Sequence, residues 1–208
     1  MSHLTAQDAL VSLDVRRPIW DRFFTVAPLV IVGTREPDGA YDLAPKHMAT
    51  PMGWDNYFGF VCTPRHGTYQ NAKRAGAFTV SYLRPSQVVV ASLAATPRCE
   101  TASEEVASKP VVDQLATFPA RTVDGRFVDE GYLFLECELE RVVDGFGENS
   151  LIVGRVVEAH AREEALRISE REDADVVRAM PLLAYLAPGL FASIREAQAF
   201  PFPEGFTR

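Results

Sequence analysis

Residues 132–143 constrain the fold of this chain more than any other stretch. Leu133, Leu135, Cys137 and Leu139 alternate there with Glu136, Glu138 and Glu140. A strict period of two puts the apolar set on one side of a strand, whereas a helix would scatter it. The segment therefore reads as a half-exposed antiparallel strand, with the three glutamates expected on its solvated face. A second long strand is expected over 150–161, joined to the first by a loop carrying Gly145 and Gly147. Two such strands are marginal alone and need partners to bury their apolar side.

The rest of the chain offers those partners. Residues 29–34, Leu-Val-Ile-Val-Gly-Thr, form a continuous β-branched run and read as a buried strand. The turn residues Pro37 and Gly39 then make 40–43 a return strand. Residues 44–51, bracketed by Pro45 and Pro51, are expected to be irregular. An aromatic strand spans 56–62 and a loop 63–67. A short helix follows, with Thr68 as its cap and Gly76 at its end, and then a strand over 78–83. Residues 86–95 are read as a helix from the Ser86 cap and alanine-rich end, although their three valines also suit a strand. A second helix is expected over 109–117, a turn at 123–125, and a solvated excursion with some helix over 163–175. The pattern is mainly β, an antiparallel barrel with appended helices. It divides into an arm, 1–25, with a helical stretch at 18–24, a domain, 26–195, and a tail, 196–208. The tail carries Phe200, Phe202 and Phe206, which need cover from the barrel or another subunit.

With 21 basic and 28 acidic residues the formal charge is −7, which argues against a general nucleic-acid or anionic-membrane surface. One local basic pocket is compatible with it. No run approaches the ~20 apolar residues of a membrane span, and the first residues lack a signal-peptide pattern, so a cytoplasmic location is expected. The three cysteines, Cys62, Cys99 and Cys137, are odd in number and lack C-x-x-C spacing. That fits a reducing compartment and no disulfide framework. Cys62 and Cys137 lie in apolar runs and read as small buried hydrophobes. The histidines show no metal-ligand spacing, so no metal site is expected.

Chemistry concentrates in residues 34–71, where loops and a helix start follow strands. Such places offer spare backbone N–H groups and the positive end of a helix dipole. Lys46, Arg65 and the Thr68 hydroxyl form a candidate phosphate pocket. No nucleophile–base pair stands out, and no catalytic residue is assigned.

Several motifs in order carry a resemblance. They are Asp42-Leu-Ala-Pro-Lys-His-Met48, then Arg65-His-Gly-Thr-Tyr-Gln-Asn71 running on to Phe78-Thr-Val-Ser81. Later come the G-x-V pattern at Gly154 and Val156, and Pro181-Leu-Leu-Ala-Tyr185. Together they resemble the flavin reductase-like, FMN-binding split-barrel family across residues 28–194. The resemblance implies an FMN-binding split β-barrel, antiparallel and Greek-key-like. It implies flavin contacts from Thr34, Ala44, Pro45, Lys46, His47, Met48, Cys62, Thr63, Pro64, Arg65, Thr68 and Asn71, with the last residues near the phosphate. Two positions depart from the family: Asp42 stands where asparagine is common, and His47 where a small hydroxyl residue is frequent. His160 is a minor candidate near the flavin. The implied function is an NAD(P)H-dependent flavin reductase working as a homodimer, with NADH or NADPH as transient co-substrate. Free flavin, oxygen or a monooxygenase partner would accept the electrons. A non-enzymatic FMN carrier and a cofactor-free barrel acting as an interaction module are the alternatives.

Overall fold

The computed structural model describes residues 10–95, 115–168 and 170–205. Strands β1 (Thr25–Pro28), β2 (Val30–Arg35), β3 (Tyr41–Lys46), β4 (Ala49–Pro51) and β5 (Tyr57–Cys62) precede helix α1 (Gly67–Ala75) and strand β6 (Ala77–Tyr82). A 3-10 turn, Pro85–Gln87, leads into α2 (Val88–Leu93). The short β7 (Thr117–Pro119) and β8 (Arg126–Val128) form a hairpin. The long β9 (Leu133–Phe146) and β10 (Asn149–Ala161) follow, then α3 (Asp173–Ala179), β11 (Leu182–Ala187) and β12 (Leu190–Ile194).

Seven strands form one antiparallel sheet in the order β3-β2-β6-β9-β10-β5-β4, and β1-β11-β12 make a smaller one. The curled large sheet and the twelve strands among the described residues make the protein mainly β, as the alternation predicts. Inside the curl Val30, Val32, Phe58, Phe60, Phe78, Val80, Cys137 and Ile152 pack together, with the Phe60 and Phe78 rings edge to face at 5.1 Å. A second cluster, around Ile31, Leu43, Leu83, Ala91 and Leu183, joins β2 and β3 to α2 and β11. β2 is therefore buried on both faces, which explains its unbroken apolar run.

Four expectations are corrected. Residues 18–24 form turns and no helix. Trp20 and Phe24 are exposed there, so a short helix has no buried face to support it. Residues 44–51 are largely strand, because Pro45 lies in β3 and Pro51 in β4, the two edges of the large sheet. An edge strand tolerates the missing N–H of proline. The N-cap of α1 is His66, and the Thr68 hydroxyl donates to Asp42 Oδ2 instead of capping the helix. Glu136 is fully buried, because the β7–β8 hairpin covers its end of β9: Phe118 and Phe127 pack on Phe134 at 5.1 and 5.3 Å.

The helix expected over 109–117 lies outside the described residues up to 114, and Thr117 opens β7. Cys99 and Phe206 also lie outside them. The helix expected over 86–95 is present as the 3-10 turn and α2. In the tail, Phe200 and Phe202 remain exposed and face each other at 4.6 Å between centroids.

Candidate functional site

A cavity of about 620 Å³ opens where β3, the start of α1, α2 and the β11–β12 hairpin meet. That volume lies in the range of small-molecule and cofactor sites. One end is polar. Strand alternation turns Asp42, Ala44 and Lys46 of β3 to the same side, and all three line the cavity beside Pro45 and His47. His66, Gly67 and Thr68 bring the start of α1 to this end. The Thr68 hydroxyl donates to the buried Asp42 carboxylate at 2.9 Å, joining helix and strand. The helix dipole adds partial positive charge there.

The other end is apolar. Val88, Val89 and Ala91 of α2 line it together with Ala94 and Ala95 just beyond the helix, and Leu190 and Phe191 of β12 also belong to this wall. Between the two ends the His47 and Tyr185 rings lie 4.5 Å apart, tilted by 35°. The Tyr185 hydroxyl accepts the Gly189 N–H at 2.9 Å, so this pair ties the β3–β4 connection to the hairpin tip. Burial, together with Lys46 nearby, holds the His47 imidazole below its ordinary pKa. Its neutral form is therefore favoured at neutral pH.

The residues nominated from sequence fall into three groups. Ala44, Pro45, Lys46, His47 and Thr68 line the cavity. Thr34, Asn71 and Cys62 are buried away from that lining. Asn71 Nδ2 donates to Thr34 Oγ1 at 3.4 Å, and Cys62 Sγ lies 4.0 Å from His66 Nδ1. Burial pushes the Cys62 thiol up in pKa, which suits a packed thiol more than a reactive one.

Thr63, Pro64, Arg65 and Met48 lie off the lining. The Thr63 hydroxyl oxygen is buried without a hydrogen-bond partner among the described residues. The Pro64 carbonyl accepts from Gln70 Nε2. Arg65 donates to Glu148 at 3.1 Å on the surface, and Met48 is exposed.

Sequence reasoning missed the α2 wall, Tyr185 as a wall residue, and the Leu190–Phe191 side. Apolar helix positions carry no mark that separates a cavity wall from a core. His160 lies on β10 beside Glu136 and Glu158, away from this cavity's lining.

No curated protein sequence matches the chain. Solved structures do. The 2-nitrobenzoate 2-nitroreductase of Pseudomonas fluorescens aligns over 100% of this chain and 99% of its own, at 17% identity and a TM-score of 0.75. Component B of nitrilotriacetate monooxygenase from Bacillus cereus covers 92% and 99%, at 19% identity and a TM-score of 0.74. An FMN-binding protein from Thermus thermophilus, with bound p-hydroxybenzaldehyde, covers 97% and 100%, at 22% identity and a TM-score of 0.67. At these identities the likeness shows a shared fold. The family model of the flavin reductase-like domain matches residues 22–185, which is most of the sequence and includes β3, α1, α2 and Tyr185. The chain belongs to the flavin reductase-like domain family.

Proposed function

We propose that this protein binds FMN in the cavity between α1 and the β11–β12 hairpin and works as an NAD(P)H-dependent flavin reductase. The observation that carries the reading is the two-ended cavity. A flavin has a polar ribityl-phosphate arm and a flat, largely apolar ring, and the donor set divides the same way. Lys46 and the first backbone N–H groups of α1 suit the arm, while the α2 face with Leu190 and Phe191 suits the ring. The family match and the FMN-binding relative of the same fold support it.

Bound FMN supplies the hydride-accepting chemistry, so the protein's task is binding, orientation and electrostatics. Ala44 and Pro45 give a stiff strand wall at one side of the ligand. The His47–Tyr185 pair fixes the hairpin, and the α2 methyl groups keep water from the ring end. NADH or NADPH is the transient donor, and free flavin, oxygen or a monooxygenase partner the acceptor. The protein acts as a cytoplasmic homodimer in this reading. Exposed Trp54, Phe146, Phe200 and Phe202 supply apolar surface for the pairing.

The test is the visible spectrum during FMN titration, followed by NADH or NADPH without oxygen. Saturable binding and bleaching at a useful rate are expected. Binding without bleaching would leave a flavin carrier, and the lack of any spectral change would remove the flavin reading.

A further inference from the structure

We propose that Glu136, Glu158 and His160 form a site for one divalent transition-metal ion of the zinc type, beside the loop that joins β7 to β8. All three residues lie outside the lining of the large cavity, so the proposal stands apart from the flavin reading.

The sheet brings the ligands together. Glu158 pairs with Glu136 across β10 and β9. His160 lies two residues further along β10, so strand alternation turns it to the same side as Glu158. One donor atom from each residue falls within 4.8 Å of the others. His160 Nε2 is 3.2 Å from Glu158 Oε1 and 3.6 Å from Glu136 Oε1. Metal–ligand bonds of about 2.0–2.2 Å set tetrahedral donors roughly 3.3–3.6 Å apart, close to both separations. The spacing of the histidines hides such a site, because its ligands come from two strands.

A second observation is the state of His160. Its Nε2 is buried and makes no hydrogen bond among the described residues, with either glutamate or with any other group. A buried polar atom without a partner is costly, and a cation shared by all three groups supplies one. Charge points the same way. Like charges directly opposite across two strands repel, and Glu136 has no solvent contact to screen it. The amides of Arg121, Thr122 and Val123 hold its carboxylate in the charged form. A dication offsets both glutamates, whereas a protonated imidazole offsets one.

The ligands are also oriented from behind. Glu136 Oε2 accepts the Thr122 and Val123 N–H groups, while Oε1 accepts that of Arg121 and keeps a second lone pair. The Thr122 hydroxyl donates to Glu158 Oε2, which leaves Oε1 turned to His160. Hydrogen bonds of this kind fix metal ligands in place. Glu136 and His160 line a cavity of about 460 Å³, which gives room for water at a fourth position. Two arginines line it too: Arg162 is held by Asp129 at 2.9 Å, and Arg121 is exposed, where solvent screens its charge. An imidazole nitrogen with two carboxylates suits Zn²⁺ better than Mg²⁺, which takes oxygen ligands.

The test is calorimetric titration of the full-length, chelator-treated protein with Zn²⁺ and, separately, with Mg²⁺. Zn²⁺ should bind one to one with micromolar or tighter affinity, and Mg²⁺ far more weakly. His160→Ala should weaken Zn²⁺ binding at least about a hundredfold, and Thr122→Val about tenfold. A wild type that shows no saturable one-to-one Zn²⁺ binding, or that takes Mg²⁺ as tightly, would overturn the proposal without any variant. A folded His160→Ala protein with unchanged affinity would also overturn it, by moving the ion to other histidines or to the cysteines.

Discussion

Glu136 sits without solvent contact between the barrel wall and the loop that joins β7 to β8. Its Oε1 accepts the Arg121 N–H at 2.9 Å, and its Oε2 accepts those of Thr122 and Val123 at 2.7 and 2.9 Å. Burial pushes the carboxyl up in pKa. The three amide donors and His160 outweigh burial and hold it below its ordinary value. A carboxylate whose pKa is lower folded than unfolded stabilises the protein above its unfolded pKa, here 4.5, and loses that contribution as pH falls through the folded value. Glu136→Gln should therefore cost about 3 kcal/mol at pH 7, since its amide group turns a donor toward N–H groups that need acceptors. Urea midpoints of both proteins should draw together as pH falls below the ordinary glutamate range and through the lowered folded pKa of Glu136. A constant gap across pH would mean that shape, not charge, is what the loop requires. The two described thiols are governed by burial: Cys137 is pushed up to about 12 and Cys62 is also raised. Both should resist alkylation in the native protein at pH 8 and react on unfolding, a difference that mass spectrometry of labelled peptides reads directly.

Among the elements, strands were the most legible part of the sequence. Their two-residue period and β-branched runs depend only on local chemistry. The alternation of β9 was read with the correct parity, yet what covers each face was not, because the β7–β8 hairpin is short and its apolar signal slight. Prolines misled the reading of 44–51 for a related reason. Whether a missing N–H matters depends on edge or interior position, which is a property of the sheet and not of the segment. Gly154 is another case: the sequence shows a glycine inside an apolar strand, and the structure shows why. A Cβ there would stand 2.6 Å from the Phe78 ring and 2.9 Å from Cys137 Cβ. Gly154→Ala should cost about 1–3 kcal/mol through overpacking. Paired with Phe78→Leu, it should cost less than the sum of the two single changes, because the smaller side chain relieves the clash. Additive urea midpoints would show that the ring is not the obstacle.

At the scale of the whole molecule the cavity gathers side chains from 42–47, 66–68, 88–95 and 185–191, pieces that only the closed fold brings together. The first two carry polar and motif residues and were found from sequence. The last two contribute mainly methyl groups and rings, which look like ordinary core until the strand order is known. A ligand held by all four joins α1, α2 and both sheets, so its binding energy appears as global stability. FMN at a hundredfold above its dissociation constant should add about 2.7 kcal/mol. For a chain of this size that raises the melting temperature by about 5–10 °C. Phe191 separates the cavity's contribution from that of the fold, because it is half-exposed and stands on the hairpin wall. Phe191→Ala should leave the ligand-free melting temperature within about 2 °C, as expected for a side chain that buries little of itself. At the same fixed FMN concentration it should roughly halve the FMN-induced rise, corresponding to about a tenfold loss of affinity. An undiminished rise would place the ring end of the ligand elsewhere than between α2 and the hairpin. A large drop in the ligand-free protein would mean that the hairpin holds the barrel together rather than walls its cavity.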